Sequence, residues 1–419
     1  MFLKNYILIG LLTACLLLAG CDRQQPVAAS STFPTSDIAR AQAEIDKAPD
    51  LPLGYANLAM MFIKEARRTG DFSLNKKAAA AVERALELSP NDVPARKLEA
   101  SLHLAYHRFH EAADAANKLR QELPSDAFAY GVLTDAYMEL GDYDQAVDSA
   151  QRMVDLRPGT ASYSRAAQLR VLYGDHKGAV EMFTQAARIT DPSDKETQSW
   201  CLVQLGDELW RNGDYAGAEK VYDEALENFP GYFLAVAAKG KARASISDYD
   251  GAIQFLTDAQ NRVPNADTIS LLGDIYFLQG DGVKAQAQYD LLEVVEQKLG
   301  SAGDQKRLAL SWADRDVKLD QALAIATSEY STRKDIYTAD ILAWCLYKNG
   351  EVAAAKEKID EAMRLKTNNA RILFHAGMIA KATGDGRGAK RLLTEALKLN
   401  PAFDLVQARH AKEILAELR

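Results

Sequence analysis

Prolines recur at a fixed interval. Pro90, Pro124, Pro158 and Pro192 stand 34 residues apart, Pro230 and Pro264 repeat the interval, and Pro401 lies four intervals plus one residue beyond Pro264. A period of this size makes the 419-residue chain an array of one supersecondary unit rather than two or three independent cores. Other residues keep the same register. One copy reads Leu205, Gly206, Leu209, Gly213, Asp214, Tyr215, Ala218, Tyr222 and Ala225, then Pro230. The copy before Pro158 gives Leu133, Tyr137, Gly141, Asp142, Tyr143, Ala146 and Ala150. Later copies give Gly273, Gly280, Ala285 and Tyr289, then Ala343, Gly350, Ala355 and Ala362, then Gly377, Gly384, Ala389, Leu393 and Ala396.

Each offset has a physical reason. Gly206 and Ala218 fall where two antiparallel helices approach most closely, and a larger side chain there would separate their axes. Gly213 supplies the positive φ that ends the first helix, and Asp214 caps the next. Pro230 stops the second helix before the following unit. A helix pair of this kind has an apolar face left over, so it must stack on a neighbour. The residues quoted resemble the tetratricopeptide repeat, over nearly all of residues 52–402. The resemblance implies an all-α, right-handed superhelical solenoid of about ten helix-turn-helix repeats, with a concave inner surface.

Some units depart from the pattern. The first, 52–90, carries roughly seven extra residues between its helices, and the interval from Pro192 to Pro230 is four residues over period. Residues 303–334 fit only at Leu308, Leu310, Ala322 and Ala326, with no Gly at the turn, which predicts irregular packing. In the tail, 403–419, Ala411, Ile414, Leu415 and Leu418 share one face, as a capping helix needs. Residues 36–47 read as a similar cover at the front.

The N-terminus reads as an address. Residues 1–20 hold one charge, Lys4, then an apolar run too short for a spanning helix, the pattern of a secretory signal. The run ends Leu17-Leu18-Ala19-Gly20-Cys21, which resembles the bacterial lipobox and implies acylation of Cys21. Several acyl chains hold a membrane stably where one chain binds only reversibly. The expected protein is lipid-anchored in the cell envelope with its body facing the periplasm, at the inner membrane if Asp22 acts as a retention signal. Residues 21–36, rich in Pro, Ser, Ala and Gln, read as a flexible tether, leaving 37–402 for the solenoid.

Composition narrows the partners. With 50 Lys and Arg against 58 Asp and Glu the chain carries −8, so the basic footprint of nucleic-acid binding is absent. Of four cysteines only Cys201 and Cys345 lie in the body; they sit four repeats apart and read as buried small hydrophobes. His103, His107 and His110 cluster around one turn, but no Cys or carboxylate at ligand spacing completes a metal shell. No phosphate loop or nucleophile triad is present, and the reading is a non-enzyme with no catalytic, metal or cofactor residues and no small-molecule substrate.

The family's groove is lined by first-helix positions 2, 5, 9, 12 and 13. The resemblance places Phe128, Asp135, Met138, Trp200, Asp207, Trp210, Arg211, Asp274, Phe277, Tyr337, Trp344 and Tyr347 there. Aromatics supply contact area and charges fix register, as a peptide groove requires. Such inner-face side chains are expected to support no repeat-to-repeat contact, although Trp200 and Trp344 could equally pack against an adjacent helix. The Lys and Asn residues of the family's clamp for acidic C-terminal tails are missing. The expected function is a membrane-anchored scaffold that binds protein or peptide partners in the envelope. A component of envelope polysaccharide assembly or export, or an accessory subunit of an envelope enzyme complex, is the alternative.

Overall fold

The computed structural model describes residues 34–298 and 305–418; the signal, Cys21, Asp22 and most of the tether lie outside them. Among the described residues there are 22 α-helices and no strand. A leading helix, Pro34–Lys47, is followed by ten helix pairs, numbered here as repeats 1 to 10, and by a last helix, Gln407–Glu417. The leading helix begins inside the stretch read as tether, and its Ala41 and Ile45 cover the first repeat.

The local signals act as their chemistry dictates. Gly213 has φ 81°, and the Asp214 side chain accepts a hydrogen bond from the Gly217 amide at 2.9 Å, capping the second helix of repeat 5. Ala146, Ala218, Ala252, Ala355 and Ala389 are wholly buried between paired helices. At the same contact a Cβ on Gly206 would run into the Tyr222 ring, and one on Gly240 would come within 2.7 Å of Leu256. Backbone approach therefore sets the spacing within each pair.

The irregular units resolve in specific ways. The extra length of repeat 1 goes mainly into its first helix, Pro52–Thr69, of 18 residues, rather than into the loop between its helices. The four residues added after Pro192 lengthen the first helix of repeat 5, Lys195–Arg211, to 17. The two extensions meet: Arg67 pairs with Glu196 at 2.8 Å. Repeat 8 has a first helix of only nine residues, Lys306–Asp314, and its turn takes positive φ at Asp316 and Lys318 without any glycine.

Beyond nearest neighbours, the superhelix touches itself. The turn of repeat 3 meets the loop entering repeat 9: the Tyr143 hydroxyl accepts from the Ile336 amide at 2.9 Å, and Arg333 pairs with Glu139 at 3.2 Å. The turn of repeat 4 meets the loop entering repeat 10, where Thr367 donates to the Leu172 carbonyl and Asn368 to that of Gly174 at 3.0 Å. These partners are 193 to 195 residues apart, so one superhelical turn takes just under six 34-residue repeats. The turn of repeat 5 continues the series. Asn400, 1% exposed, donates to the Trp210 carbonyl at 2.9 Å and accepts from the Tyr215 hydroxyl at 2.6 Å.

Candidate functional site: a chamber inside the second superhelical turn

Because repeat 5 meets the chain leaving repeat 10, the first helices of repeats 5 to 10 enclose a space. The chamber holds about 940 Å³ and is closed on one side by residues 400–407. That volume lies at the upper end of the range usual for ligand sites. Six of the twelve residues assigned to the groove line it together: Asp207, Trp210, Arg211, Asp274, Phe277 and Tyr337.

On the wall from repeats 5 and 6, Trp210 donates from Nε1 to the Ser245 hydroxyl at 2.7 Å, and the Lys241 ammonium lies 4.3 Å above its ring. Trp210 thus bridges two repeats, which corrects the expectation that inner-face side chains make no such contact. Asp207 accepts from Lys241 at 2.6 Å and from the Tyr222 hydroxyl at 2.9 Å. Burial opposes its ionisation, but the Lys241 and Arg211 charges prevail and hold its carboxyl below the usual range. Arg211 pairs with the buried Glu208 at 2.7 Å.

The opposite wall is differently balanced. Asp274, from the first helix of repeat 7, accepts from the Tyr289 hydroxyl at 2.8 Å. Asp314, at the end of the short helix of repeat 8, accepts from Trp344 Nε1 at 2.8 Å and Gln407 Nε2 at 3.3 Å. Asp404, before the last helix, accepts from the amides of Val406 and Gln407 at 3.0 and 2.9 Å and faces Arg371 at 3.5 Å. Burial, then the Asp404 charge, pushes Asp274 up to about 8 and Asp314 up to about 6. Phe277 is 55% exposed on the same wall, and the Tyr337 hydroxyl has no hydrogen-bond partner among the described residues.

The other groove assignments lie elsewhere. Phe128, under Lys97, and Asp135, in a two-bond pair with Arg165, stand with Met138 in repeat 3, away from the chamber. Trp200 is half-buried against the core of repeat 5, and Tyr347 stacks on Trp344 at 5.1 Å. Trp344 is a correction. It is 1% exposed, stacked on His375 at 4.3 Å with its Nε1 spent on Asp314, so it is core and offers no face to a partner. Its ring packs directly on the next first helix, whereas Asp207 in the same register meets its next first helix through Lys241.

Sequence reasoning passed over Asp314, Asp340, Arg371 and Asp404, all on the chamber wall. Counting back from the small residues Ala343 and Gly377 puts Asp340 and Arg371 at inner positions, so register alone could have found those two. Asp314 ends a helix that breaks the register, and Asp404 follows the last repeat; neither carries a periodic signal. His107, one of the three clustered histidines, takes φ 57° at its turn, and its Nδ1 is 3.3 Å from Arg333. Cys201 and Cys345 are buried free thiols.

Comparison with known proteins agrees with the geometry. Tetratricopeptide-repeat family models match residues 203–267 and 129–160. A chain of the APC/C hetero-tetramer Cut9-Hcn1 is similar in structure, with TM-score 0.51 and 14% identity over 92% of this chain. This chain spans 66% of that one, just under two thirds. The human IFIT1 dimer with PPP-AAAA aligns at TM-score 0.48 and 13% identity, covering 86% of this chain and 87% of that one. A tetratricopeptide repeat protein from Parabacteroides merdae ATCC 43184 aligns at 0.36 and 17% identity, covering 62% and 98%. No curated protein matches. The fold is an all-α superhelical solenoid of helix pairs, and the chain carries tetratricopeptide repeats at residues 129–160 and 203–267.

Proposed function

We propose that the protein is a membrane-anchored scaffold that captures partner proteins or peptides in the cell envelope, with the chamber of repeats 5 to 10 as its binding surface. Tetratricopeptide folds serve as protein-interaction scaffolds, and this part of the reading rests on fold-level likeness. The observation that carries the choice of surface is the meeting of Trp210, Phe277 and Tyr337 with Asp207, Arg211 and Asp274 around one space. An exposed aromatic beside fixed charges gives a bound segment both area and register. Anchoring rests on the lipobox-like sequence ending at Cys21; among the described residues no helix is long and apolar enough to cross a membrane.

Two measurements test the reading. A photocrosslinking residue at Phe277, in cells, is expected to yield adducts that one at Glu227, exposed on an outer helix, does not; adducts from Glu227 alone would place the surface on the wrong face. Cys21→Ser is expected to release the protein from membranes or leave an uncleaved precursor. A mature-sized variant that still floats with membranes refutes the anchor.

A further inference from the structure

The second helices differ in the charge they turn outward. In that of repeat 10, Gly386–Leu399, the exposed side chains are Arg387, Lys390, Arg391, Thr394, Glu395 and Lys398. Four cations thus stand against one carboxylate, along about 16 Å of helix. At the same positions of repeat 5, Lys220 alone stands against Glu219, Asp223, Glu224 and Glu227, and the whole chain carries −8. The neighbours do not cancel the stripe. In repeat 9, Lys356, Lys358 and Arg364 accompany Glu357, Asp360 and Glu361, and in the last helix Arg409 and Lys412 accompany Glu413 and Glu417.

Elsewhere such charges are spent within the molecule. Glu219 pairs with Arg243 and Asp223 with Lys239, while Lys356 pairs with Asp360 and Lys358 with Glu361. On the second helix of repeat 10 only Arg391 has a partner, Glu395 at 3.4 Å; Arg387, Lys390 and Lys398 make no ion pair among the described residues. The helix itself gains nothing from the arrangement. Arg387 lies in the first turn, where the macrodipole favours a carboxylate, and the same position holds Asp144 in repeat 3 and Asp250 in repeat 6. Arg387 and Arg391, four residues apart, repel one another. A stripe set against its helix's own electrostatics, with no internal partner, points to a partner outside.

We infer that this face of repeat 10 docks on anionic phospholipid headgroups of the membrane to which Cys21 would be anchored, laying the C-terminal end of the superhelix on the bilayer. Clustered Lys and Arg near an anionic surface each strengthen contact roughly fivefold. The tether supplies the high effective concentration that makes so modest a contact sufficient. An acidic protein would offer the same charge. Lipid is favoured because the stripe has no exposed apolar side chain, and a protein interface needs a buried anchor. None of the six residues lines the chamber, whose repeat 10 wall, Arg371 and Ile372, belongs to the first helix, so docking leaves the binding surface uncovered. This inference rests on the anchor read at Cys21.

The test reconstitutes the full chain from detergent into phosphatidylcholine vesicles with and without phosphatidylglycerol. A fluorescent amino acid replaces Thr394, within the stripe, or Asp290, exposed on the outer helix of repeat 7 and about half a superhelical turn away. Energy transfer to a headgroup dye reports the distance to the bilayer. Transfer from position 394 is expected to rise with phosphatidylglycerol and to fall back at high salt, while transfer from position 290 does not rise. Lys390→Gln with Lys398→Gln should lower the ratio of docked to undocked protein about 25-fold, with unchanged circular dichroism. A chain that floats with neutral vesicles, yet shows the same transfer at 394 with and without phosphatidylglycerol, overturns the inference, leaves the anchor standing and assigns the stripe to an acidic protein. A double variant that docks like wild type overturns it equally. Flotation only with phosphatidylglycerol removes the anchor and keeps the lipid-binding stripe; flotation with neither removes both.

Discussion

Asn400→Ala tests whether the superhelix closes on itself. Asn400 makes three hydrogen bonds: from Nδ2 to the Trp210 carbonyl, and to Oδ1 from the Tyr215 hydroxyl and the Ala402 amide. Two of the partners are 190 and 185 residues away, so the side chain is a bolt between successive superhelical turns. Truncation removes all three bonds, at about 1 kcal/mol net for each. The expected loss of about 2 to 3 kcal/mol falls on the turn-to-turn contact rather than on the stack of repeats, whose interfaces are nearest-neighbour. Hydrogen exchange is the assay, because a solenoid need not unfold in one step and a single melting temperature would blur the site. Protection in 209–215 and 399–403 should fall roughly 30- to 150-fold, with an increase in radius of gyration by small-angle scattering. Asn349→Ala is the control. Its amide bonds only the Leu319 and Cys345 carbonyls, within neighbouring repeats, so it should cost stability without expanding the molecule. Unchanged protection and radius in Asn400→Ala would mean that the turns do not touch in solution, and the enclosed chamber would go with them.

Gly206→Ala should destabilise the chain by about 1 to 3 kcal/mol despite alanine's better helix propensity, because the added Cβ meets the fully buried Tyr222 ring. Denaturant titration checks it, and a less than additive cost in Gly206→Ala with Tyr222→Leu is expected; full additivity would deny the contact. Asp274, pushed up to about 8, and Asp314, up to about 6, hold protons in the folded state that the unfolded chain releases near pH 4. Their contribution therefore favours the fold at low pH and is lost as pH rises toward 8. Asp274→Asn should gain on wild type in urea midpoint between pH 5 and 8; a gap that narrows over that range refutes the assignment. Burial raises the Cys201 and Cys345 thiols to about 11 and about 12, so neither should react with a thiol reagent at pH 8 until denaturant is added. Rapid native labelling of either would show that its repeat opens.

Much of the fold was legible because its determinants are local. Gly213 and Asp214 end one helix and start the next through bonds spanning a few residues, and Gly206, Ala218 and Tyr222 fix a contact within one unit. Such requirements recur in most units, so they print a period on the sequence. The site was legible in part, for the same reason. Asp207, Trp210, Asp274 and Phe277 could be placed on inner faces by register, but register says nothing of what a side chain reaches. Trp344 shares the register of Asp207 and is core, because the His375 and Phe374 rings of the next first helix cover its indole.

The sequence by itself determined the unit, its number of copies and the direction in which each copy faces, because these depend on contacts within a repeat or between adjacent ones. Only the tertiary structure decided how far the array curls. Small rotations between neighbours add up over about six repeats, until Tyr143 meets Ile336 and Trp210 meets Asn400. That closure brings Asp404, which belongs to no repeat, beside Asp314, which ends a broken one, and beside Asp274. Their shared electrostatics arise from groups 40 to 130 residues apart, roughly, with no common register. A sum of small angles leaves no residue pattern, and so the chamber exists only in the folded superhelix.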